Sequence, residues 1–454
     1  MTTELLSPAG TLKNMRYAFA YGADAVYAGQ PRYSLRVRNN EFTHDNLALG
    51  IQEAHQLGKK FYVVTNIAPH NAKLKTFIRD LTPIIAMQPD ALIMSDPGLI
   101  MLVRQHFPTF PIHLSVQANA VNWATVKFWQ SQGITRVILS RELSLEEIAE
   151  IRQQVPAMEI EVFVHGALCM AYSGRCLLSG YLNKRDPNQG TCTNACRWDY
   201  SVTPGEEDAL GNIVQTVTPS PTLGCGNTSS AAVLITDKMR PQEPMSMTED
   251  EHGTYIMNSK DLRAVEHVPR LVAMGVHSLK IEGRTKSFYY CARTAQVYRK
   301  AIDDALAGKA FDHSLLNTLE GLANRGYTEG FLRRHSHQSY QNYQQGYSVS
   351  TQQQFVGEFS QAYHEGYAEV IVKNKFQCGD SLEVMTPKGN FSFVLEVMRD
   401  KHQRQTDIAP GDGYRVWIPI PQETCLEFAL LIRHLAEGET TQAPHRNNIA
   451  TGMV

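Results

Sequence analysis

Short apolar runs alternate with longer amphipathic segments over the first 310 or so residues of this 454-residue chain. Eight of the runs have the length and composition of strands, at residues 4–6, 25–28, 60–67, 91–95, 112–116, 136–140, 160–164 and 277–281. The segments between them have helical periodicity, at residues 11–21, 44–57, 71–87, 97–106, 122–132, 144–154, 260–274 and 286–307. Ser144, followed three positions later by Glu147, forms a capping box at the start of one of them.

Eight strands that are each followed by a helix predict an α/β fold, a TIM-like (β/α)8 barrel. A doubly wound open sheet is the alternative, because the order of the strands in the sheet is not visible from sequence. The seventh connection is abnormally long, so the predicted catalytic domain, residues 1–334, carries a cysteine-bearing insertion at 165–258 after strand 7.

The pattern changes after Arg334, where residues 335–354 are polar and rich in Gln and Tyr and predict a linker. Six β-patterned runs without helices follow, at 355–359, 367–372, 381–385, 391–397, 414–418 and 426–432. They predict a small C-terminal antiparallel β-barrel at 355–436, with a tail at 437–454.

Composition is that of a globular protein, with 43% hydrophobic and 19% charged residues. The longest apolar runs are too short to span a bilayer, and the N-terminal residues lack the features of an export signal. We therefore expect a cytoplasmic location and no membrane partner. In that reducing compartment, clustered cysteines favour metal or redox chemistry over disulfides.

The net charge of −2 means that a nucleic-acid partner would need a local basic patch. The sequence offers three candidate clusters: Arg32, Arg36 and Arg38; Lys73, Lys75 and Arg79; Arg333 and Arg334. For each cluster alone, the favoured interpretation is a solvated face on an ordinary helix or loop.

Four of the eight cysteines lie within 28 positions: Cys169, Cys176, Cys192 and Cys196. This spacing matches neither the tight pairs of zinc ribbons nor the ferredoxin patterns. Glycines among the cysteines would let the backbone approach inorganic sulfur closely. An iron–sulfur cluster, a zinc site and no metal at all remain open from the residues alone, with Cys225 as a substitute fourth ligand.

Polar residues recur where the predicted strands end, the position of catalytic groups in TIM barrels. They include Gln117, Asn119, Arg141, His165, Glu282 and Arg284. A small carboxylate could be held there, because guanidinium groups bind carboxylates through two hydrogen bonds. Helix capping is the alternative for each residue. A cysteine peptidase that uses Cys169 and His165 also stays open, although the zinc-peptidase and serine-hydrolase motifs are absent.

One long motif makes the chain recognisable. It comprises Glu161, Phe163, Gly166, Ala167, Leu168, Cys169, Gly174, Cys176, Leu178 and Ser179. Together with ELLSPAG, GADAVYAG, SVQANAVN and SLKIEGR in the same order, it resembles the collagenase-like peptidase family U32 over most of the chain, including the appended C-terminal domain.

The resemblance implies an O2-independent hydroxylase rather than a peptidase. In the RNA-acting branch it implies formation of 5-hydroxyuridine at C5 of the tRNA wobble uridine, with an iron–sulfur cluster of [4Fe–4S] type and prephenate or a related metabolite. By the same resemblance Cys169, Cys176, Cys192 and Cys196 are the cluster ligands, with Cys225 as the fallback, and iron–sulfur assembly proteins are possible partners.

Further expectations concern the substrates. The tRNA would present its single-stranded anticodon loop, with the C-terminal module gripping phosphates through Lys373 and Lys375. Arg141, Arg284, Gln117 and Asn119 are the substrate-binding candidates, and His165 and Glu282 are the catalytic candidates. A peptidase and an iron–sulfur scaffold that assists a separate hydroxylase are the competing functions.

Overall fold

The N-terminal part of the chain is a closed parallel barrel, as predicted. The computed structural model describes residues 2–30, 32–35, 41–168, 260–324, 326–333, 350 and 352–436, and the backbone of six short strands between 200 and 254. The barrel strands are β1 (Glu4–Pro8), β2 (Ala25–Gly29), β3 (Lys60–Thr65), β4 (Ala91–Met94), β5 (Ile112–Leu114), β6 (Arg136–Ile138), β7 (Glu159–Ala167) and β8 (Ser278–Ile281). Each pairs with the next, and β8 pairs with both β7 and β1, which closes the barrel and excludes the open sheet.

Helices surround the barrel, and six of the nine described helices begin at a side chain that caps them. They are α1 (Leu12–Ala20), α2 (His44–Gln56), α3 (Asn71–Ala86), α4 (Pro97–His106), α5 (Trp123–Ser131), α6 (Leu145–Gln154), α7 (Val268–Ala273), α8 (Phe288–Leu306) and α9 (Ser314–Glu320). The capping box of Ser144 and Glu147 is present at α6. The capping side chains accept hydrogen bonds from N–H groups in the first turn, which would otherwise lack a partner, and so fix where these helices begin.

The prediction of a helix over 260–274 is wrong in its first part. Residues Asp261–Arg263 form a strand that runs antiparallel to the end of β7, with Asp261 opposite Ala167. They also pair with Tyr327–Thr328, and helix α7 begins only after a 3-10 turn at Val265–His267. The physical reason is that β7 extends beyond the barrel, and its last backbone groups need a hydrogen-bonding partner. Both ends of the insertion therefore lie side by side.

The interior of the barrel carries buried charge. Arg136 contacts Glu4 at 2.5 Å and Glu161 at 3.3 Å, and Glu161 contacts Lys280 at 2.8 Å. Glu161 is fully buried, and Arg136 and Lys280 are each 3% exposed. A buried charge is costly unless it is paired. The two carboxylates, Glu4 and Glu161, and the two cations, Arg136 and Lys280, therefore hold one another in position.

The C-terminal module is an antiparallel sheet around its own core, so its predicted antiparallel character is confirmed. The order of its seven strands is Gly389–Val394, Ser381–Thr386, Leu430–His434, Gln353–His364, Tyr367–Val372, Arg415–Pro419 and Arg399–Asp400. A two-stranded ribbon, Phe376–Gln377 with Ile408–Ala409, adds to it. Two register shifts bend the long first strand, which lets the sheet curl over side chains such as Val370 and Leu382.

The module is fixed to helices α1 and α8 of the barrel. Arg293 of α8 makes a buried two-pronged contact with Glu383, at 3.0 and 2.8 Å. The Tyr21 hydroxyl lies 2.9 Å from the carbonyl oxygens of Met385 and Phe428, and Phe355 stacks on Tyr289. These contacts come from the C-terminal end of α1 and the first turns of α8, so the module packs along both helices on the outside of the barrel.

Candidate active site

A cavity of about 100 Å³ opens at the carboxyl ends of the barrel strands. Its polar lining consists of Tyr27, Asn66, Ser115, Gln117, Arg141, Lys280, Glu282 and Arg284. Apolar side chains from the strands, such as Ile93 and Phe163, complete the wall. Of the described residues that line the cavity, three are cationic and one, Glu282, is a carboxylate. Low-dielectric walls strengthen this field, so the cavity favours an anion.

Arg141 and Glu282 form an ion pair in the cavity wall. The Arg141 guanidinium lies 3.7 Å from Glu282 Oε2, and its carbon lies 3.7 Å from the centre of the Phe163 ring. The Tyr27 hydroxyl is 3.4 Å from the same Glu282 oxygen. Cation–π contact with Phe163 holds the guanidinium flat against the wall.

Arg284 reaches into the cavity from the turn after β8. Its Nη1 donates to Ser34 Oγ at 2.7 Å, and the side chain passes over Gly29. A Cβ at position 29 would overlap Ser34 Oγ and lie only 2.6 Å from Arg284 Nη1, so the glycine is required by the close approach of the hydrogen-bonded pair Ser34 and Arg284. The sequence motif GADAVYAG thus ends in the residue that makes room for Arg284.

Gln117 lines the cavity, but its amide is engaged by neighbouring residues. Its Oε1 accepts hydrogen bonds from Ser115 at 2.6 Å and Asn66 at 2.7 Å, and its Nε2 donates to the Asn66 carbonyl at 2.8 Å. Asn119 stands outside the cavity lining, in a left-handed conformation with φ of 51°, and donates to the Gln117 carbonyl at 3.0 Å. Gln117 therefore holds the neighbouring residues of the cavity wall in place, and Asn119 supports Gln117.

Lys280 is a cavity residue that the sequence reasoning missed. Its ammonium lies 4.1 Å from the centre of the Tyr27 ring and 2.8 Å from Glu161. Burial lowers the pKa of Lys280, an effect that the Glu161 carboxylate opposes. One feature of the sequence indicates a special role for Lys280. It lies within the buried strand SLKI, where an unpaired charge would be costly.

His165 lies away from the cavity. It is 1% exposed, its ring centre is 5.5 Å from those of Tyr298 and Tyr327, and its Nδ1 is 3.3 Å from the Tyr298 hydroxyl. Burial lowers the pKa of His165 to about 3, so the imidazole is neutral near pH 7. The geometry gives it a packing role beneath the insertion and does not bring it to a molecule in the cavity.

The buried His165 should make the protein less stable in mild acid. Because the unfolded chain takes up a proton near pH 6.5 while the folded chain resists it down to about pH 3, stability is lost as the pH falls below 6.5. Between pH 7.5 and 5 the loss should be about 2 kcal/mol. Urea unfolding at both pH values tests this. In His165→Phe the Tyr298 hydroxyl keeps its bond to the Val164 carbonyl, and the drop should shrink by that amount; an equal drop in the variant would contradict the assignment.

The predicted cluster ligands Cys169, Cys176, Cys192 and Cys196, and the fallback Cys225, lie outside the described residues. Cys169 follows Leu168 directly in the chain, and Ala167, two positions before it, lines the cavity. The chain thus enters the insertion at the cavity and returns beside Ala167 at Asp261. Among the described residues, no group of three or more His, Cys, Asp or Glu side chains could hold a metal ion.

Three of the remaining cysteines, and the predicted phosphate contact Lys373, belong to the described residues. Cys291 is buried, and burial raises the pKa of its thiol to about 12, as an inert core cysteine requires. Cys378 and Cys425 are only partly buried. Lys373 lies 3.2 Å from Asp412 in the C-terminal module.

No helix in the described part of the chain is long and apolar enough to cross a membrane.

Comparison with known proteins places this architecture in context. A family model described as peptidase family U32 matches residues 10–342, and one described as peptidase family U32 C-terminal domain matches residues 351–433. The chain is 74% identical to "tRNA hydroxylation protein P" of Escherichia coli (strain K12), over 97% of this chain and 99% of that protein. It is 68% identical to the protein of the same name from Haemophilus influenzae, over 98% of both chains. A more distant relative, "23S rRNA 5-hydroxycytidine C2501 synthase" of Escherichia coli, is 28% identical over 91% of this chain and 56% of that protein.

Proposed function

Because the chain belongs to peptidase family U32, we propose that it is a tRNA-modifying enzyme that hydroxylates C5 of the wobble uridine without O2. An iron–sulfur cluster bound by Cys169, Cys176, Cys192 and Cys196 would serve as its redox centre. Prephenate or a related small carboxylate would be the co-substrate or accessory metabolite. RNA hydroxylation is the activity in the names of relatives that match nearly the whole chain.

The cationic cavity beside the insertion is the observation that carries the proposal. Arg141, Lys280 and Arg284 line it, and the chain leaves for the cysteine-bearing insertion two residues after Ala167, in the cavity wall. Hydroxylation of a uracil carbon is an oxidation that protein side chains cannot perform alone, so a redox centre is needed. Thiolates are the ligands that iron–sulfur clusters require, and four of them are encoded in this one connection.

The described residues have separate tasks in this scheme. Arg284 and Arg141 bind the carboxylate of the small metabolite, because their forked donors match its two oxygens. Lys280 adds positive charge from the floor of the cavity. Glu282, the carboxylate in the cavity wall, is the candidate to accept the proton that leaves the hydroxylated carbon. Asn66 and Gln117 keep the opposite wall in place.

The RNA would approach from the open side of the cavity. The cavity is small, so it holds the metabolite while a uridine is presented at its rim. A single-stranded anticodon loop can present a base in this way, since its bases unstack more easily than those of a duplex.

The described residues give a peptidase less support. A cysteine nucleophile needs a depressed thiol pKa and a neighbouring base. The candidate nucleophile Cys169 lies outside the described residues, and the candidate base His165 is enclosed by tyrosines with its pKa lowered to about 3, which makes it a weak base. An iron–sulfur scaffold that assists a separate hydroxylase would share the same cluster, so it must be separated by experiment.

Replacing Arg284 should weaken binding of the carboxylate metabolite by about 10- to 100-fold, since hydrogen bonds to charged groups contribute about 1.5–3 kcal/mol. Arg284→Gln and Arg141→Gln can be compared by calorimetric titration with prephenate. Arg270→Gln is the control, because Arg270 pairs with Glu146 on the outer surface. Equal affinities of all three variants and the wild type would remove the cavity from the proposal.

The tRNA assignment can be tested in cells. A strain that lacks the gene should lose 5-hydroxyuridine from its tRNA, measured by nucleoside mass spectrometry, and the wild-type chain should restore it. The Arg284→Gln chain should restore less at equal expression. Unchanged 5-hydroxyuridine in the deletion strain would contradict the function.

A further inference from the structure

A basic surface lies on the rim of the barrel mouth, next to the cavity. Arg32 belongs to the loop after β2, and Lys75 and Arg79 lie on the first three turns of α3. The side chains of Arg32 and Arg79 are 59% and 75% exposed, and Lys75 is exposed as well. We call these three residues the basic rim.

The fold gathers the basic rim around one acidic residue. Arg32 Nη1 lies 2.5 Å from Asp80 Oδ2, and Arg79 Nη2 lies 3.2 Å from Asp80 Oδ1. The Tyr33 hydroxyl also donates to Asp80, at 3.1 Å. Two exposed guanidinium groups thus share one mostly buried carboxylate, and with Lys75 the cluster keeps a net positive charge that faces solvent.

The basic rim is continuous with the cavity. Tyr33 is 1% exposed and packs edge-on against Phe77 of α3, with ring centres 5.2 Å apart, which anchors the loop to the helix. The next two residues reach the mouth: Ser34 accepts from Arg284, and the Leu35 N–H donates to Asn66 at 3.3 Å. Arg32 is only two positions before Ser34 in the chain. A molecule that covers the cavity would therefore also lie close to Arg32.

We propose that the basic rim binds the phosphate backbone of the RNA whose base is presented at the mouth. The inference rests on the proposed RNA substrate and adds the location of the backbone contacts. A nucleotide at the mouth has phosphates on both sides, and exposed Arg and Lys side chains are the usual partners of phosphates. The rim suits this role better than Lys373, because the loop that carries Arg32 reaches the cavity through Ser34 and Leu35, whereas Lys373 belongs to the other module.

The salt dependence of tRNA binding tests this proposal. Each cation that contacts a phosphate of a single strand contributes about 0.7 to the slope of log K against log salt. Removing two should lower the slope by about 1.4 and weaken binding at 0.1 M salt by about 25-fold. The probe is an unmodified tRNA transcript with uridine at the wobble position, and the proteins are wild type and Arg32→Gln/Arg79→Gln, prepared without oxygen.

The chain offers a matched control at the opposite end of the barrel. Lys300 and Lys309 flank Asp304 at 2.5 and 3.1 Å, and their side chains are 49% and 67% exposed. Lys300→Gln/Lys309→Gln removes the same charge and should keep the wild-type slope. Arg32→Lys/Arg79→Lys should keep most of the slope, which separates lost charge from lost folding. Lys75→Gln should lower the slope by about 0.7 without disturbing Asp80.

The outcomes distinguish a failure of the basic rim from a failure of the proposed RNA substrate. If wild type binds tRNA with a salt-dependent affinity and the rim variants keep its slope, the basic rim is overturned while the tRNA substrate stands. If the control pair lowers the slope as much as the rim pair, binding is a property of net charge and the rim is again overturned. If wild type shows no salt-dependent affinity for tRNA, both the rim and the proposed RNA substrate fall.

Discussion

Replacing Cys169 with serine should abolish both the bound iron and the RNA hydroxylation of this protein. In the proposed scheme Cys169 is the first thiolate that the chain supplies after leaving the cavity wall at Ala167. Residues that merely support metal ligands typically contribute 10- to 100-fold to affinity or activity, so losing a ligand itself should cost more than about 100-fold. Iron and acid-labile sulfide per chain, measured on anaerobically purified protein, and 5-hydroxyuridine in tRNA are the two readouts.

Cysteine replacements elsewhere in the chain provide the controls. Cys378 belongs to the C-terminal module, where its sulfur makes a long contact with the Thr406 carbonyl, and Cys378→Ser should keep full iron content. Cys196→Ser and Cys225→Ser decide the fourth ligand, because only the true ligand should lower the iron content. Normal iron in Cys169→Ser would show that this residue is not a ligand.

The second large effect concerns the buried pair beneath the cavity. Glu161→Leu should lower the free energy of unfolding by about 3–5 kcal/mol, because it leaves the Lys280 ammonium buried without its carboxylate. Lys280→Met should cost less, since Glu161 keeps Arg136 at 3.3 Å. Denaturant unfolding monitored by circular dichroism measures both.

The double variant supplies the internal control for that prediction. Glu161→Leu/Lys280→Met removes both charges, and Arg136 retains Glu4 at 2.5 Å and Glu159 at 2.8 Å. It should therefore be more stable than Glu161→Leu alone. A double variant whose loss equals the sum of the two single losses would mean that the pair is not energetically coupled.

The barrel was predictable because its signal is local. Each strand is a short apolar run, most helices have a capping side chain and an amphipathic period, and eight repeats of this unit leave few alternatives. The C-terminal antiparallel sheet was predictable from the same kind of evidence, because its β-patterned runs follow one another with no helical segment between them. The strand at Asp261–Arg263 was missed because its partner is the end of β7, about 95 residues earlier in the chain.

The candidate site was only partly predictable for a similar reason. Arg141, Glu282 and Arg284 follow strand ends in the sequence, and the structure brings all three to one cavity. Lys280 was missed because the role of a lysine within a strand depends on its ion pair with Glu161 on β7. That contact forms only when the barrel closes. His165 also follows a predicted strand end, but β7 continues past it, and the ring turns toward the tyrosines of α8. The four clustered cysteines and their ligand roles stay predictions.

The central claim, that this chain itself hydroxylates uridine in tRNA, is tested most directly by a reaction with purified components. Anaerobically prepared wild-type protein carrying its cluster is incubated with an unmodified tRNA transcript, prephenate and a chemical electron acceptor, since replacing the C5 hydrogen with a hydroxyl group withdraws two electrons from the base. The nucleosides are then analysed by mass spectrometry. The account predicts 5-hydroxyuridine at the wobble position, absent when Cys169→Ser protein replaces the wild type. Iron-loaded protein that binds the tRNA yet forms no 5-hydroxyuridine until a second protein is added would contradict it and favour the scaffold.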